Sequence, residues 1–252
     1  MKIVVLAAGY ATRLYPLTLN QPKALLKVAD KTILEHILAR TTGIEPNLDI
    51  TIVTNDKFYT PFVNWAKNQS HLGQIHVLND QTTSNDNRLG AIGDLQFAMK
   101  ERQLNDDLLV LASDNLFDQD LKSFVQKAKS FKRPSITLGA YDIRDPKLAS
   151  NRYGVLEIDK ENRVTSIHEK VADPPSPLVS MGVYFMSKES LPFIHKYLSS
   201  EQKMDAPGHY LKWMLQEISL YGVLFEGQWY DIGSTDQLEE ANKLYLKPNH
   251  KK

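Results

Sequence analysis

The chain has 252 residues, 30 basic and 30 acidic, so its formal net charge is zero and no global field draws it to nucleic acid or an anionic membrane. It holds no cysteine, which excludes disulfides and thiolate metal sites, and it is long enough to bury a substantial core. No stretch approaches the roughly 20 apolar residues that span a bilayer, and the first apolar run is too short for a signal-peptide core, so a cytoplasmic protein is expected.

The first element is the apolar, largely β-branched run Lys2-Ile3-Val4-Val5-Leu6, which predicts a buried strand of the parallel type. Small residues follow it, Ala7-Ala8-Gly9, then a loop that carries Arg13 and, after Pro22, Lys23. Such a turn exposes backbone and delivers two cations to the carboxyl edge of a sheet, where open α/β sheets bind their ligands. A polyphosphate is the guest this suits. A dinucleotide fingerprint is excluded, because Ala11 and Leu14 stand at its second and third glycine positions. A Walker loop is excluded as well, because Lys23 lies between Pro22 and Ala24 and not in Gly-Lys-Ser/Thr.

Strand-like and helix-like segments then alternate. Ile33, Ile37 and Leu38 have helical spacing, and residues 50–54, 75–78 and 108–112 read as the second, third and fourth strands. Residues 93–102 have helical spacing, and a further helix is expected to start near Asp118 and to turn Leu121, Val125 and Ala128 inward. This β-α repetition predicts one doubly wound, mostly parallel, Rossmann-like sheet flanked by helices.

The second half is richer in strands, at 135–141, 154–158, 164–168 and 180–186, with a hairpin turn at 159–163. Helices are expected at 188–198 and 210–217, a strand at 221–225, and a last helix at 235–246. The Pro-rich stretch 172–177 is short and lies between strands, so it reads as a loop within one domain. The tail 247–252 reads as a frayed, solvated end. Asp114 ends the fourth strand, where a carboxylate either holds Mg²⁺ against phosphate oxygens or caps the next turn. Asp118, Asp142 and Asp145 read as turn or cap residues, and His168 as structural.

Leu6-Ala7-Ala8-Gly9-x-x-Thr12-Arg13-Leu14-x-Pro16-Leu17-Thr18, followed by Pro22-Lys23-x-Leu25-Leu26-x-Val28, resembles the signature of the sugar-1-phosphate nucleotidylyltransferases, particularly the glucose-1-phosphate thymidylyl/uridylyl branch. The family usually has glycine where Ala11 stands. The resemblance continues through Ser113-Asp114-Asn115, Glu169-Lys170, Gly182-Val183-Tyr184 and Trp229-Tyr230-Asp231-Ile232-Gly233, in the family's order. It implies a single domain over 1–246 of the nucleotide-diphospho-sugar transferase type. About 1–130 would bind the NTP and about 131–246 the sugar phosphate, with a homo-oligomer left open.

The resemblance also implies the chemistry. Nucleoside monophosphate would pass from an NTP, dTTP or UTP by preference, to a sugar 1-phosphate, glucose 1-phosphate by preference, releasing pyrophosphate. Arg13 would neutralise the departing phosphates, Lys23 the α-phosphate and Lys170 the phosphate of the sugar. Asp114 and Asp231 would hold Mg²⁺. Glu169, Ser180 and the backbone of Gly154 and Gly182 would contact the sugar, and Ala8, Gly9, Asn85 and Gly90 the nucleotide. Thymidylyl enzymes usually carry a glutamine a few residues before that last glycine; Asn85 is the nearest amide here. Alternatives are a cytidylyl- or guanylyltransferase on another phosphorylated acceptor, and a catalytically silent regulatory relative. Such a relative usually loses the arginine, the lysine or the aspartates, all of which this chain has.

Overall fold

The structure, a computed structural model, describes residues 1–200 and 206–246; the expected frayed tail lies outside them. In chain order the elements are β1 (Lys2–Leu6), the short pair β2 (Lys27–Val28) and β3 (Lys31–Thr32), α1 (Ile33–Ala39), β4 (Asp49–Thr54), α2 (Asp56–Ala66), β5 (Gln74–Asn79) and α3 (Gly90–Glu101). They continue with β6 (Leu108–Ala112), β7 (Asn115–Phe117), α4 (Leu121–Lys129), β8 (Ser135–Asp142), β9 (Gly154–Ile158), β10 (Val164–Glu169) and β11 (Leu178–Met186). The last are α5 (Pro192–Leu198), α6 (Pro207–Met214), β12 (Ser219–Leu224), β13 (Trp229–Asp231) and α7 (Thr235–Tyr245).

β1 lies between β4 and β6, parallel to both, and β5 adds in parallel beyond β4. The chain therefore winds outward from β1 to β5 and returns to the other side of β1 at β6. That reversal opens a crevice beyond the carboxyl ends of β1 and β6. β11 then pairs antiparallel with β6 and with β8, and β12 pairs in parallel with β8. The sheet is mixed and mostly parallel.

The apolar runs are continuous because both faces of the sheet are covered. Ile3, Val5, Leu109 and Leu111 enter one core layer with residues of α1, α2, α4 and α7. Val4, Leu108 and Val110 enter the other with Ile92 and Leu95 of α3 and residues of α5 and α6. Alternate side chains of one strand thus anchor two helical layers and hold its carboxyl end still.

Several helix starts differ from the sequence reading. α4 is capped by Asp120, whose carboxylate accepts from the Ser123 amide, because β7 occupies the residues before it. Asp118 instead accepts from the Gln228 amide. α3 and α6 start about a turn earlier than their apolar periodicity, at Gly90 and Pro207, and the expected helix at 188–198 is a 3₁₀ turn followed by α5, which starts at Pro192.

At the start of α1, Thr32 and Glu35 form a reciprocal capping box, each side chain accepting from the other's backbone amide. Thr32→Ala should lower the unfolding free energy by about 1 kcal/mol, read as a shift of the urea midpoint at unchanged slope. An unchanged midpoint would mean that packing alone fixes this helix start.

Candidate functional site

A cleft of about 470 Å³ occupies the crevice, walled by the segment after β1, the end of β6 and the start of α3. The turn after β1 is tied down from β4 and the residue that follows it: the Ala7 amide donates to Val53 O at 2.8 Å, and Asn55 Nδ2 donates to Ala8 O at 2.9 Å. Ala11 then adopts a left-handed conformation, φ +48°, held by the Thr18 hydroxyl donating to its carbonyl at 2.8 Å. For a residue with a Cβ that conformation costs roughly 1–2 kcal/mol, which explains why a glycine suits the position. A 3₁₀ turn follows; it buries Leu14 and leaves Arg13 on the cleft wall. A second 3₁₀ turn, Lys23–Leu25, buries Ala24 and Leu25 and sets Lys23 opposite.

The acids arrive on two short strands. β7 pairs antiparallel with β13, which sets Asn115 across from Asp231, and the Ile232 amide donates to Asp114 O at 3.0 Å. Lys23 Nζ lies 2.9 Å from Asp114 Oδ2, with only 13% of the lysine side chain exposed. The other oxygen, Oδ1, accepts from Asn115 Nδ2 at 2.8 Å. Burial and then the Asp114 charge push the Asp231 carboxyl above the usual aspartate range, against the pull of Lys23, Arg13 and Arg152. Gly233 sits between Asp231 and the Arg13 guanidinium.

Two neighbouring carboxylates, one of them held above its usual range by burial and by the other's charge, form a donor set suited to a hard divalent cation such as Mg²⁺. No cluster of three or more His, Cys, Asp or Glu forms among the described residues. Such a cation would complete its shell with phosphate oxygens and water.

Of the residues singled out from sequence, Ala8, Gly9, Arg13, Lys23, Asn85, Gly90, Asp114 and Gly182 line the cleft. Asp231 stands behind its acidic wall. Gly154, Glu169 and Lys170 form a second group outside it. The Glu169 carboxylate occupies the space a Cβ would need at Gly154 and at Gly208, so both glycines make room for a protein side chain. Burial raises the Glu169 pKa, offset in part by Lys170 and His209. Lys170 Nζ lies 3.9 Å from Glu169 Oε1, with 57% of its side chain exposed.

Tyr184 lies between the two groups in charge: it lines the cleft, burial and then the charges of Glu169 and Asp114 raise its pKa, and its hydroxyl accepts from Ser180 at 3.4 Å. Gly182, at φ +71°, lies where β11 shifts register, and a Cβ there would stand 2.7 Å from Ala112 Cβ. It too is required by packing, here under the end of β6.

Arg88, Asp94, Tyr184 and Pro207 also line the cleft, though none was singled out as a site residue from sequence. Asp94 carried a legible signal, a carboxylate buried among the apolar positions Ile92, Leu95 and Ala98 of α3. Arg88 Nη1 donates to Asn85 Oδ1 at 2.7 Å, so Asn85 presents its amide with the carbonyl already engaged.

Residues 2–248 match the family profile described as Nucleotidyl transferase. The chain is 25% identical over 246 residues to the bifunctional protein GlmU of Methanocaldococcus jannaschii, covering 98% of this chain and 54% of that protein. It is 28% identical over 247 residues to a glucose-1-phosphate thymidylyltransferase of Neisseria meningitidis, covering 96% of this chain and 81% of that one. A crystal structure of a UDP-glucose pyrophosphorylase with UDP-glucose superimposes with a TM-score of 0.78 at 20% identity, over 97% of each chain, and shares its fold. The chain spans about half the length of the archaeal relatives it matches.

In a ¹³C carboxyl NMR titration, Asp231 should titrate above ordinary aspartates, and Asp114→Asn should bring it down by removing one of the two causes. An Asp231 that titrates with exposed aspartates, or ignores the substitution, would uncouple the two acids.

Proposed function

The chain belongs to the nucleotidyl transferase family, and from that premise we propose that it transfers a nucleoside monophosphate from an NTP to a sugar 1-phosphate, giving an NDP-sugar and pyrophosphate. The observation that carries this reading is the meeting of Lys23 with Asp114 at 2.9 Å, beside Asp231 and Arg13, at the mouth of the sheet crevice. Two cations and two acids converging there suit a polyphosphate bound with a divalent cation.

In this reaction a phosphate oxygen of the sugar attacks the α-phosphorus and the bond to the bridging β-oxygen breaks, with the electron pair leaving on pyrophosphate. The attacking phosphate is already ionised at neutral pH, so no side-chain base or nucleophile is needed. The barrier is repulsion between anions, met by positioning and fixed positive charge. We assign Arg13 to the leaving pyrophosphate, Lys23 to the α-phosphate, and Lys170 to the phosphate of the sugar. Lys23 is bound to Asp114 in the structure and turns from it to the α-phosphate as substrate enters. Asp114 and Asp231 would hold Mg²⁺, which supplies charge neutralisation to the phosphates.

Ala8, Gly9, Asn85 and Gly90 are assigned to the nucleotide, and Gly154, Glu169, Ser180 and Gly182 to the sugar end. On this reading residues of about 1–130 bind the NTP and those of about 131–246 the sugar phosphate, within one domain. Glucose 1-phosphate with dTTP or UTP is the favoured pair, in keeping with the names of the Neisseria relative and the pyrophosphorylase. A guanine or cytosine base is the second reading, favoured by Asp94, because a carboxylate accepts from the amino groups those bases carry. We assign the enzyme to the cytoplasm; no helix among the described residues is long and apolar enough to cross a membrane.

A panel of NTPs against sugar 1-phosphates, read by pyrophosphate release, should give turnover for at least one pair and none in excess EDTA. Silence across the panel would contradict the reading.

Lys170→Ala should lower kcat/KM for the sugar phosphate roughly tenfold to a hundredfold, the range of a hydrogen bond to a charged group, while calorimetric NTP binding stays nearly unchanged. Equal damage to both substrates would show that Lys170 bridges them or supports the fold.

A further inference from the structure

Behind the acid pair stands a group of side chains that the reaction above leaves unused. Trp229, on β13, packs against Tyr141 with ring centroids 5.4 Å apart and edge-on to Tyr153 at 5.3 Å. Its indole Nε1–H donates to Asn115 Oδ1 at 2.8 Å. Asn115 Nδ2–H donates in turn to Asp114 Oδ1 at 2.8 Å. Asn115 is only 7% exposed, and its backbone pairs across from Asp231.

The direction of this chain follows from the chemistry of its ends. An indole nitrogen can only donate, so it engages the carbonyl end of the Asn115 amide. The amino end is thereby turned towards Asp114. The reverse orientation would set an amide oxygen against a carboxylate oxygen and an amino group against the indole N–H, losing both bonds. One oxygen of Asp114 is therefore fixed from behind, which leaves Oδ2, now held by Lys23, as the oxygen that faces the cleft.

The same aromatic group backs the second acid. Arg152 Nη2 donates to the Tyr153 hydroxyl at 2.9 Å, and that hydroxyl faces Asp231.

We infer that Trp229 and Asn115 are positioning residues that act in series, the indole fixing the amide and the amide fixing Asp114, so that the acid pair presents a set geometry to a divalent cation. Neither residue lines the cleft. This rests on the nucleotidyl-transfer reading for its purpose, though the metal-binding consequence is independent of which substrates are used. Outer partners that orient a ligating group carry a characteristic effect, a 10–100-fold loss of metal affinity or activity on removal.

The test uses the full chain and Mn²⁺ as the probe, with bound metal counted from the loss of the free-ion EPR signal and no substrate present. Trp229→Phe keeps a ring between Tyr141 and Tyr153 but removes the donor. It should raise the Mn²⁺ dissociation constant on the order of tenfold. Asn115→Ala should do the same, and the double variant should be no worse than the more damaged single one, because the two act in series. In the pyrophosphate assay, the Mg²⁺ concentration for half-maximal rate should rise in step while KM for the NTP at saturating Mg²⁺ stays within about twofold, a split that general loss of structure would not produce. If Trp229→Phe does not fold, Asn115→Ala decides by the same measurements.

Unchanged Mn²⁺ binding in the single variants, losses that multiply in the double variant, or a wild-type protein that takes up no Mn²⁺ would each overturn the inference. Shifted Mn²⁺ binding without pyrophosphate release from any substrate pair would leave the relay standing and remove the nucleotidyl-transfer reading instead.

Discussion

The contact between Lys23 and Asp114 depends on parts of the chain 91 residues apart, and most of the architecture can be understood as the means of making it. Lys23 is carried by the loop that leaves β1, and Asp114 by the turn that leaves β6, so the two meet only because those strands lie side by side in parallel. Both strands are held by residues that alternate between two core layers, which fixes their ends in depth as well as direction. The short β7–β13 pair then brings Asp231 to the same spot from the far end of the chain. A displacement of either strand end would separate charges that stabilise each other across the cleft.

The balance of charge at this point is close. Two carboxylates are brought together in a half-buried setting, and burial with mutual repulsion raises the Asp231 pKa. Lys23, Arg13 and Arg152 oppose that shift. Such a group is pre-organised for a ligand that carries negative charge and brings a cation with it, because the cation would quiet the acids and release the lysine. The second group, Glu169 with Lys170, has the same internal pairing of acid and base at 3.9 Å. At the first, the largely buried Lys23 is held by a neighbouring carboxylate, a state less costly than an unpaired buried charge; Lys170 stays exposed beside its acid.

The parallel half of the fold was legible because its strands are uninterrupted apolar runs between small or polar residues, as in 2–6, 50–54 and 108–112. What escaped was short. β7 and β13 have three residues each, too few for any periodicity, so the hinge that joins Asp114 to Asp231 could be expected only through a family resemblance. Helices α3 and α6 start ahead of their apolar stripes because Gly90 and Pro207 satisfy backbone geometry and not packing. Gly154 and Gly182, assigned to the sugar end, each also relieve a contact inside the protein that the sequence does not reveal, with Glu169 and with Ala112. Asn115 and Trp229 stand in motifs that carried the family resemblance, but their positions in the site, like that of Arg88, depend on partners that only the fold supplies.

The most direct measurement of the central idea, that the Lys23–Asp114 pair lies in the phosphate site and is split by phosphate, is calorimetric binding of inorganic tripolyphosphate without divalent ions. Asp114→Asn frees Lys23 and removes an opposing charge, so this variant should bind tripolyphosphate more tightly than the wild type, and the added substitution Lys23→Met should abolish the gain. Equal affinity in wild type and Asp114→Asn would contradict the account, because the pair would then lie outside the phosphate site.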